Sequence, residues 1–116
     1  MSDAIDVKDL LERVQNDKEL LVELLDIYQE DFPNKRRALG EALKANDLTG
    51  VKEAAHSLKG SSGNLSAKSL YKLCLELEQM AQVNDLSQTD KVLTSIDEEY
   101  KRLQTHALDI KKYFGK

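Results

Sequence analysis

Tryptophan is absent from the chain, and cysteine and proline occur once each, as Cys74 and Pro33. A single cysteine excludes an internal disulfide and any multi-cysteine zinc or iron–sulfur site. Two histidines, His56 and His106, leave little for a metal site. Five glycines and one proline are too few for a sandwich or barrel of many short strands joined by turns. No apolar run approaches the length needed to span a bilayer. The opening Met1-Ser2-Asp3-Ala4 is acidic and lacks an apolar secretion core. These absences lead to the expectation of a cytoplasmic protein that does not engage membranes. The formal net charge is −4 and the lysines are scattered, which provides no basic footprint for nucleic acid. No glycine-rich phosphate loop of recognised spacing occurs, so no ATP site and no enzymatic turnover are expected.

What is present favours helix. Ala, Glu, Lys, Leu and Arg make up 55 of the 116 residues, a helix-rich balance for a single domain spanning residues 1–116. Val7, Leu10, Leu11 and Val14 recur at helical spacing behind Asp6, a plausible N-cap. Asp17 is the candidate cap of a stripe with Leu20, Leu21, Leu24, Leu25, Tyr28 and Phe32. Pro33 is expected to restart the chain in a first helical turn, followed by Leu39, Ala42 and Leu43. Asp47 can cap a helix with Leu48, Val51, Ala55 and Leu58 that Gly63-Asn64 ends. Ser66 is the candidate cap of a helix with Leu70, Leu73, Cys74, Leu77 and Ala81.

After Asn84-Asp85, Ser87-Gln88-Thr89-Asp90 resembles a capping box. It opens the most regular stripe: Leu93, Ile96, Tyr100, Leu103, Ala107, Ile110 and Phe114. The short breaks favour antiparallel neighbours. The fold expected is all-α: an antiparallel up-and-down four-helix bundle with an additional short N-terminal helix or helices.

The histidine-bearing helix can be laid out at about 100° per residue. With Val51 at zero, Leu58, Ala55, Ser62 and Leu48 gather within about 60° of it, which is the core face. His56 falls at about 140°, Gly60 at about 180°, Gly63 at about 120°, Lys52 at about 100° and Lys59 at about 80°. His56 therefore points away from the core, with Lys59 and Gly60 one turn on. Glycine inside a helix costs about 1 kcal/mol relative to alanine. Two of them beside an outward histidine clear bulk from its surroundings. His106 receives no such support and reads as a solvated helix residue, Cys74 as a small apolar filler. Ser61 and Ser62 have no acid–base partner that would make a nucleophile.

The stretch Ala55-His56-Ser57-Leu58-Lys59-Gly60-Ser61-Ser62-Gly63-Asn64-Leu65 resembles the signature of the histidine-containing phosphotransfer (HPt) domain family. That signature has His, an aliphatic residue at +2, Lys at +3, Gly at +4 and small residues beyond. The resemblance runs from about Val7 to Tyr113 and includes the Leu-rich helix that reaches Leu77-Glu78. Ser66 stands where many members have Gly.

The resemblance implies a four-helix bundle in which His56 accepts a phosphoryl group from a receiver-domain aspartate and passes it to another receiver. Glu78 matches a position at which chemotaxis-kinase HPt domains carry a Glu that bonds the unphosphorylated ring nitrogen. Lys59 would offset phosphoryl charge. Gly60, Gly63, Lys52, Val7, Leu10, Leu11 and Val14 would meet the receiver. The chain itself would hold no cofactor, the Mg²⁺ for transfer arriving with the receiver. Partners would be response-regulator receivers, a hybrid sensor histidine kinase, or both, with the chain a monomer. Two alternatives remain. One is an HPt domain cut from a larger hybrid or chemotaxis-type kinase; the other is a non-catalytic helical interaction module whose histidine is incidental.

Overall fold

A computed structural model describes residues 3–114. Met1 and Ser2, part of the acidic start read above, lie outside them, as do Gly115 and Lys116. The regular elements among the described residues are five helices: α1 (Val7–Arg13), α2 (Lys18–Lys44), α3 (Leu48–Asn64), α4 (Lys68–Gln82) and α5 (Thr89–Phe114). Helices α2 to α5 form the antiparallel four-helix bundle, each packed on its chain neighbour, with α5 returning to α2. The antiparallel register shows in the cross-links. Asp26 of α2 pairs with Lys111 while Arg36, further along α2, pairs with Asp97, earlier in α5. No helix among the described residues is long and apolar enough to cross a membrane.

The helix starts follow the local chemistry. Asp6, Asp17 and Asp47 each sit in extended backbone and accept from the amide three residues on, Asp9, Leu20 and Gly50. Those bonds satisfy amides that have no intrahelical partner. The ends of α1 to α4 share one device. Gln15, Asn46, Ser66 and Asn84 adopt positive φ of 54°, 52°, 58° and 57°. The amide of each, and that of the next residue, bond back into the last helical turn, the pattern of a Schellman motif.

Two cap expectations are corrected. Ser66 does not cap α4, whose N-cap is Ala67 without a side-chain bond. It is the left-handed residue that ends α3, a position glycine adopts without steric cost. Its hydroxyl instead donates to Asp9 Oδ2 at 2.7 Å and ties α1 to the α3–α4 corner. Ser87 does not build a capping box: its amide and hydroxyl both donate to Asp85 Oδ1.

Pro33 is the larger correction. It does not restart a helix but lies inside the unbroken α2. A proline there removes one backbone donor and strands the carbonyl four residues earlier, that of Gln29. The Tyr100 hydroxyl of α5 donates to that carbonyl at 3.3 Å, and the Tyr100 ring stacks on Phe32 at 3.7 Å. A tertiary partner thus replaces the missing bond.

The core runs along one face of every helix, with Leu21, Leu25, Leu39, Val51, Leu58, Leu70, Leu77, Ile96 and Leu103 fully buried. The α5 seam is rotated slightly from its expected line. Val92 and Glu99 are buried, and Leu93, Tyr100 and Phe114 only half-buried. His106 is half-buried too, not a solvated residue. Its Nδ1 accepts the Ile5 amide at 3.3 Å and holds the N-terminal segment against α5. Cys74 is fully buried as expected, and burial pushes its thiol up to about 12.

Tyr100→Phe should lower unfolding free energy by about 1 kcal/mol, the cost of an unpaired carbonyl. Urea unfolding should show that cost shrink in a Pro33→Ala background, where an alanine amide can bond Gln29 again. Equal costs in both backgrounds would contradict the substitution of Tyr100 for the missing amide.

Candidate functional site

His56 stands at the middle of α3 with its side chain 69% exposed. The core stripe of the helix, Val51, Ala55, Leu58 and Ser62, is fully buried. Packing that stripe inward turns His56 outward, toward the flank that α4 covers. Ser62 is locked there by hydrogen bonds to the Leu58 carbonyl and the Tyr28 hydroxyl. Burial raises the Tyr28 phenol well above its ordinary value, so it serves as a neutral hydrogen-bonding group.

Glu78 reaches from α4 and meets two groups of α3. Its Oε2 lies 2.7 Å from His56 Nδ1 and its Oε1 2.6 Å from Lys59 Nζ. The Lys59 hydrogen bond, and then that of His56, holds the Glu78 carboxyl below its ordinary value against an opposing effect of burial. The same bond raises the Lys59 ammonium. An ionised carboxylate only accepts, so His56 Nδ1 must carry the proton. In the neutral ring Nε2 then holds the free lone pair. The arrangement makes an outward imidazole with a fixed tautomer, a nucleophile in an uncrowded setting.

The other candidates divide. Gly60 is exposed, and a β-carbon built on it would meet nothing within 4 Å. Lys52 is exposed one turn before His56. Gly63 belongs to a different surface from the one expected: a β-carbon there would press to 3.2 Å on the Tyr71 ring of α4. Its missing side chain makes room for Tyr71 rather than for a partner. Leu10 and Val14 are buried, so the expectation that they meet a receiver is corrected. They close the core beneath α1, and Val7 and Leu11 are half-buried against it.

Apolar surface lies instead on α2. Leu20 and Ile27 are exposed, and Leu24, Ile27 and Asp31 form a shallow cleft with Ser61 and Asn64 of α3. The sequence carried a signal for it. Leu20, Leu24 and Ile27 form a second helical line beside Leu21, Leu25 and Tyr28, wider than one buried face requires.

The model of the Hpt domain family matches residues 23–106, which include His56, Lys59 and Glu78. The chain belongs to the Hpt family. It is 29% identical over 106 residues to histidine-containing phosphotransfer protein 2 of Arabidopsis thaliana, across 86% of this chain and 67% of that protein. Its fold matches the crystal structure of histidine-containing phosphotransfer protein B from Pseudomonas aeruginosa PAO1 with a TM-score of 0.84. That match is 25% identical and covers 99% of this chain and 97% of the other. The HPT domain of a sensor hybrid histidine kinase from Shewanella shares the fold, with a TM-score of 0.79, 16% identity and 95% of each chain covered. The role that follows is histidine phosphotransfer in two-component phosphorelays. Family members work as carriers between receiver domains and hybrid kinases.

A depressed carboxyl stabilises the fold above its ordinary titration range, and that contribution is lost as pH falls through the folded value. Glu78→Gln should therefore show a smaller loss of stability between about pH 7 and about pH 3 than the native chain. Asp6, Asp9 and Asp85, also held low by hydrogen bonds, supply the acid sensitivity that remains. Identical acid limbs in urea unfolding would remove Glu78 as a linked group.

Proposed function

We propose that His56 is the phosphoacceptor and that this chain passes phosphoryl groups between aspartates of receiver domains. The observation that supports this most directly is the 2.7 Å contact of Nδ1 with Glu78 on an otherwise exposed ring. In the transfer, the Nε2 lone pair attacks phosphorus of a receiver's aspartyl phosphate. The N–P bond forms as the P–O bond to the aspartate breaks, and the electron pair leaves with the carboxylate oxygen. The proton stays on Nδ1, so the phosphorylated ring is cationic and Glu78 offsets that charge. The return step reverses these bonds toward a second receiver. Lys59, at the same carboxylate, supplies positive charge toward the phosphoryl oxygens. Mg²⁺ is assigned to the receiver, since the carboxylate at His56 is already engaged by Nδ1 and Lys59.

The proposed receiver surface covers Gly60 and the α2–α3 cleft. Gly60 leaves the approach open, and Leu24 and Ile27 offer apolar area next to it. A cytoplasmic, monomeric carrier with no nucleic-acid or membrane partner fits the composition. A non-catalytic interaction module would need no histidine with a fixed tautomer, and the Glu78 contact disfavours it.

Incubation with a phosphorylated receiver and Mg²⁺ should yield acid-labile, base-stable phosphate on the native chain and none on His56→Gln. Phosphate that persists on the variant would sink the assignment. Lys59→Ala should fold normally and transfer more slowly, by about tenfold if one charge-assisted contact is lost; an unchanged rate would remove its role.

For docking, Gly60→Gln and Ile27→Asp place their changes at exposed positions and should leave the fold intact. Each should weaken receiver binding by about tenfold, as for a central contact residue. Calorimetry that finds native affinity in both would move the docking surface elsewhere.

A further inference from the structure

Lys59 is held from two sides, and only one of them is a charge. Its Nζ bonds Glu78 at 2.6 Å and also lies 5.9 Å from the centroid of the Tyr71 ring. Tyr71 stands on α4 two turns before Glu78, and its ring rests on Gly63, where any β-carbon would crowd it. Gly63 is itself one turn beyond Lys59 on α3, so the ring lies on the same side of that helix as the lysine. The Lys59 side chain is only 16% exposed, although it ends in an ammonium. A long flexible side chain ordinarily loses rotamer freedom at a cost when it is held in one place. An aromatic face restricts the stem and attracts the cation at once.

We infer that Tyr71 is a positioning residue for phosphoryl transfer, its ring seated in the gap left by Gly63 and holding the Lys59 ammonium beside His56. This assignment rests on His56 and Lys59 as the transferring pair. It gives Gly63 a purpose other than surface clearance: the glycine is the floor of the ring's seat. Phosphorylation at Nε2 draws Lys59 toward new oxygens, and the ring keeps the stem in the quadrant shared by Glu78 and His56 while the ammonium moves.

The test compares Tyr71→Phe, which keeps the aromatic face, with Tyr71→Leu, which keeps apolar bulk alone. Tyr71 is partly exposed, so both should fold. In the unphosphorylated protein, NMR should show the Lys59 ε-methylene displaced by the ring current in native and Tyr71→Phe chains. Tyr71→Leu should abolish that displacement. Transfer from a phosphorylated receiver should be restored by Phe and slowed about two- to fivefold by Leu. In a Lys59→Ala background, Tyr71→Leu should add nothing. An unmoved Lys59 resonance, a native rate for Tyr71→Leu, or an equal slowing in the Lys59→Ala background would each overturn the inference. Failure of the His56 assignment is distinguishable, because phosphate would then persist on His56→Gln while the Lys59 resonance still reported on the ring.

Discussion

One carboxylate joins the working parts of this molecule. Glu78 accepts from His56 with one oxygen and from Lys59 with the other, and it does so across two helices. That contact exists only if α3 and α4 pack antiparallel in one register. A slip of one residue in α4 would turn Glu78 by about 100° and leave both partners without it. The register is held by burial of Leu70, Cys74 and Leu77 against the α3 stripe, and by the short corner at Leu65, Ser66 and Ala67. Ser66 takes a positive φ there and bonds Asp9. The corner is therefore part of the site although it lies more than two helical turns from the histidine.

Repeated devices keep a bundle with so few glycines and prolines continuous. Aspartates start three helices, and left-handed residues that are not glycine end four. The proline in α2 costs a backbone bond that Tyr100 replaces from the opposite helix. Local defects are thus satisfied by tertiary partners, which couples secondary structure to packing and rules out judging either from the local sequence alone.

The site has the form that transfer between proteins requires. In the proposed transfer a receiver brings its aspartate in line with the His56 ring nitrogen, and the exposed ring and the bare turn at Gly60 suit that approach. On the proposed role the chain has two tasks: to fix a tautomer and to keep a positive charge within reach. Glu78 serves the first task. Glu78 and Tyr71 together hold the lysine to which the proposal gives the second.

The residues of the motif were legible along one helix, because the angles of His56, Lys59 and Gly60 follow from helical spacing once Val51 and Leu58 are taken as core. The bundle was legible from apolar spacing and capping aspartates. Gly63, Leu10 and Val14 were assigned to the wrong surface. Spacing within one helix reports which face a residue occupies, and not what another helix lays on it. Tyr71 covers Gly63 from α4, and the core closes over Leu10 and Val14. Pro33 misled for the same reason, since its rescuer is far away in sequence. By itself the sequence determined the all-helical class, the outward histidine and its neighbours one turn away, because these depend on local geometry and burial. Only the tertiary structure decided which atoms meet: the bond of Glu78 to Lys59, the ring beside Lys59 and the line of half-buried Leu24 with exposed Leu20 and Ile27. Each of these depends on the register between helices, which side-chain packing sets.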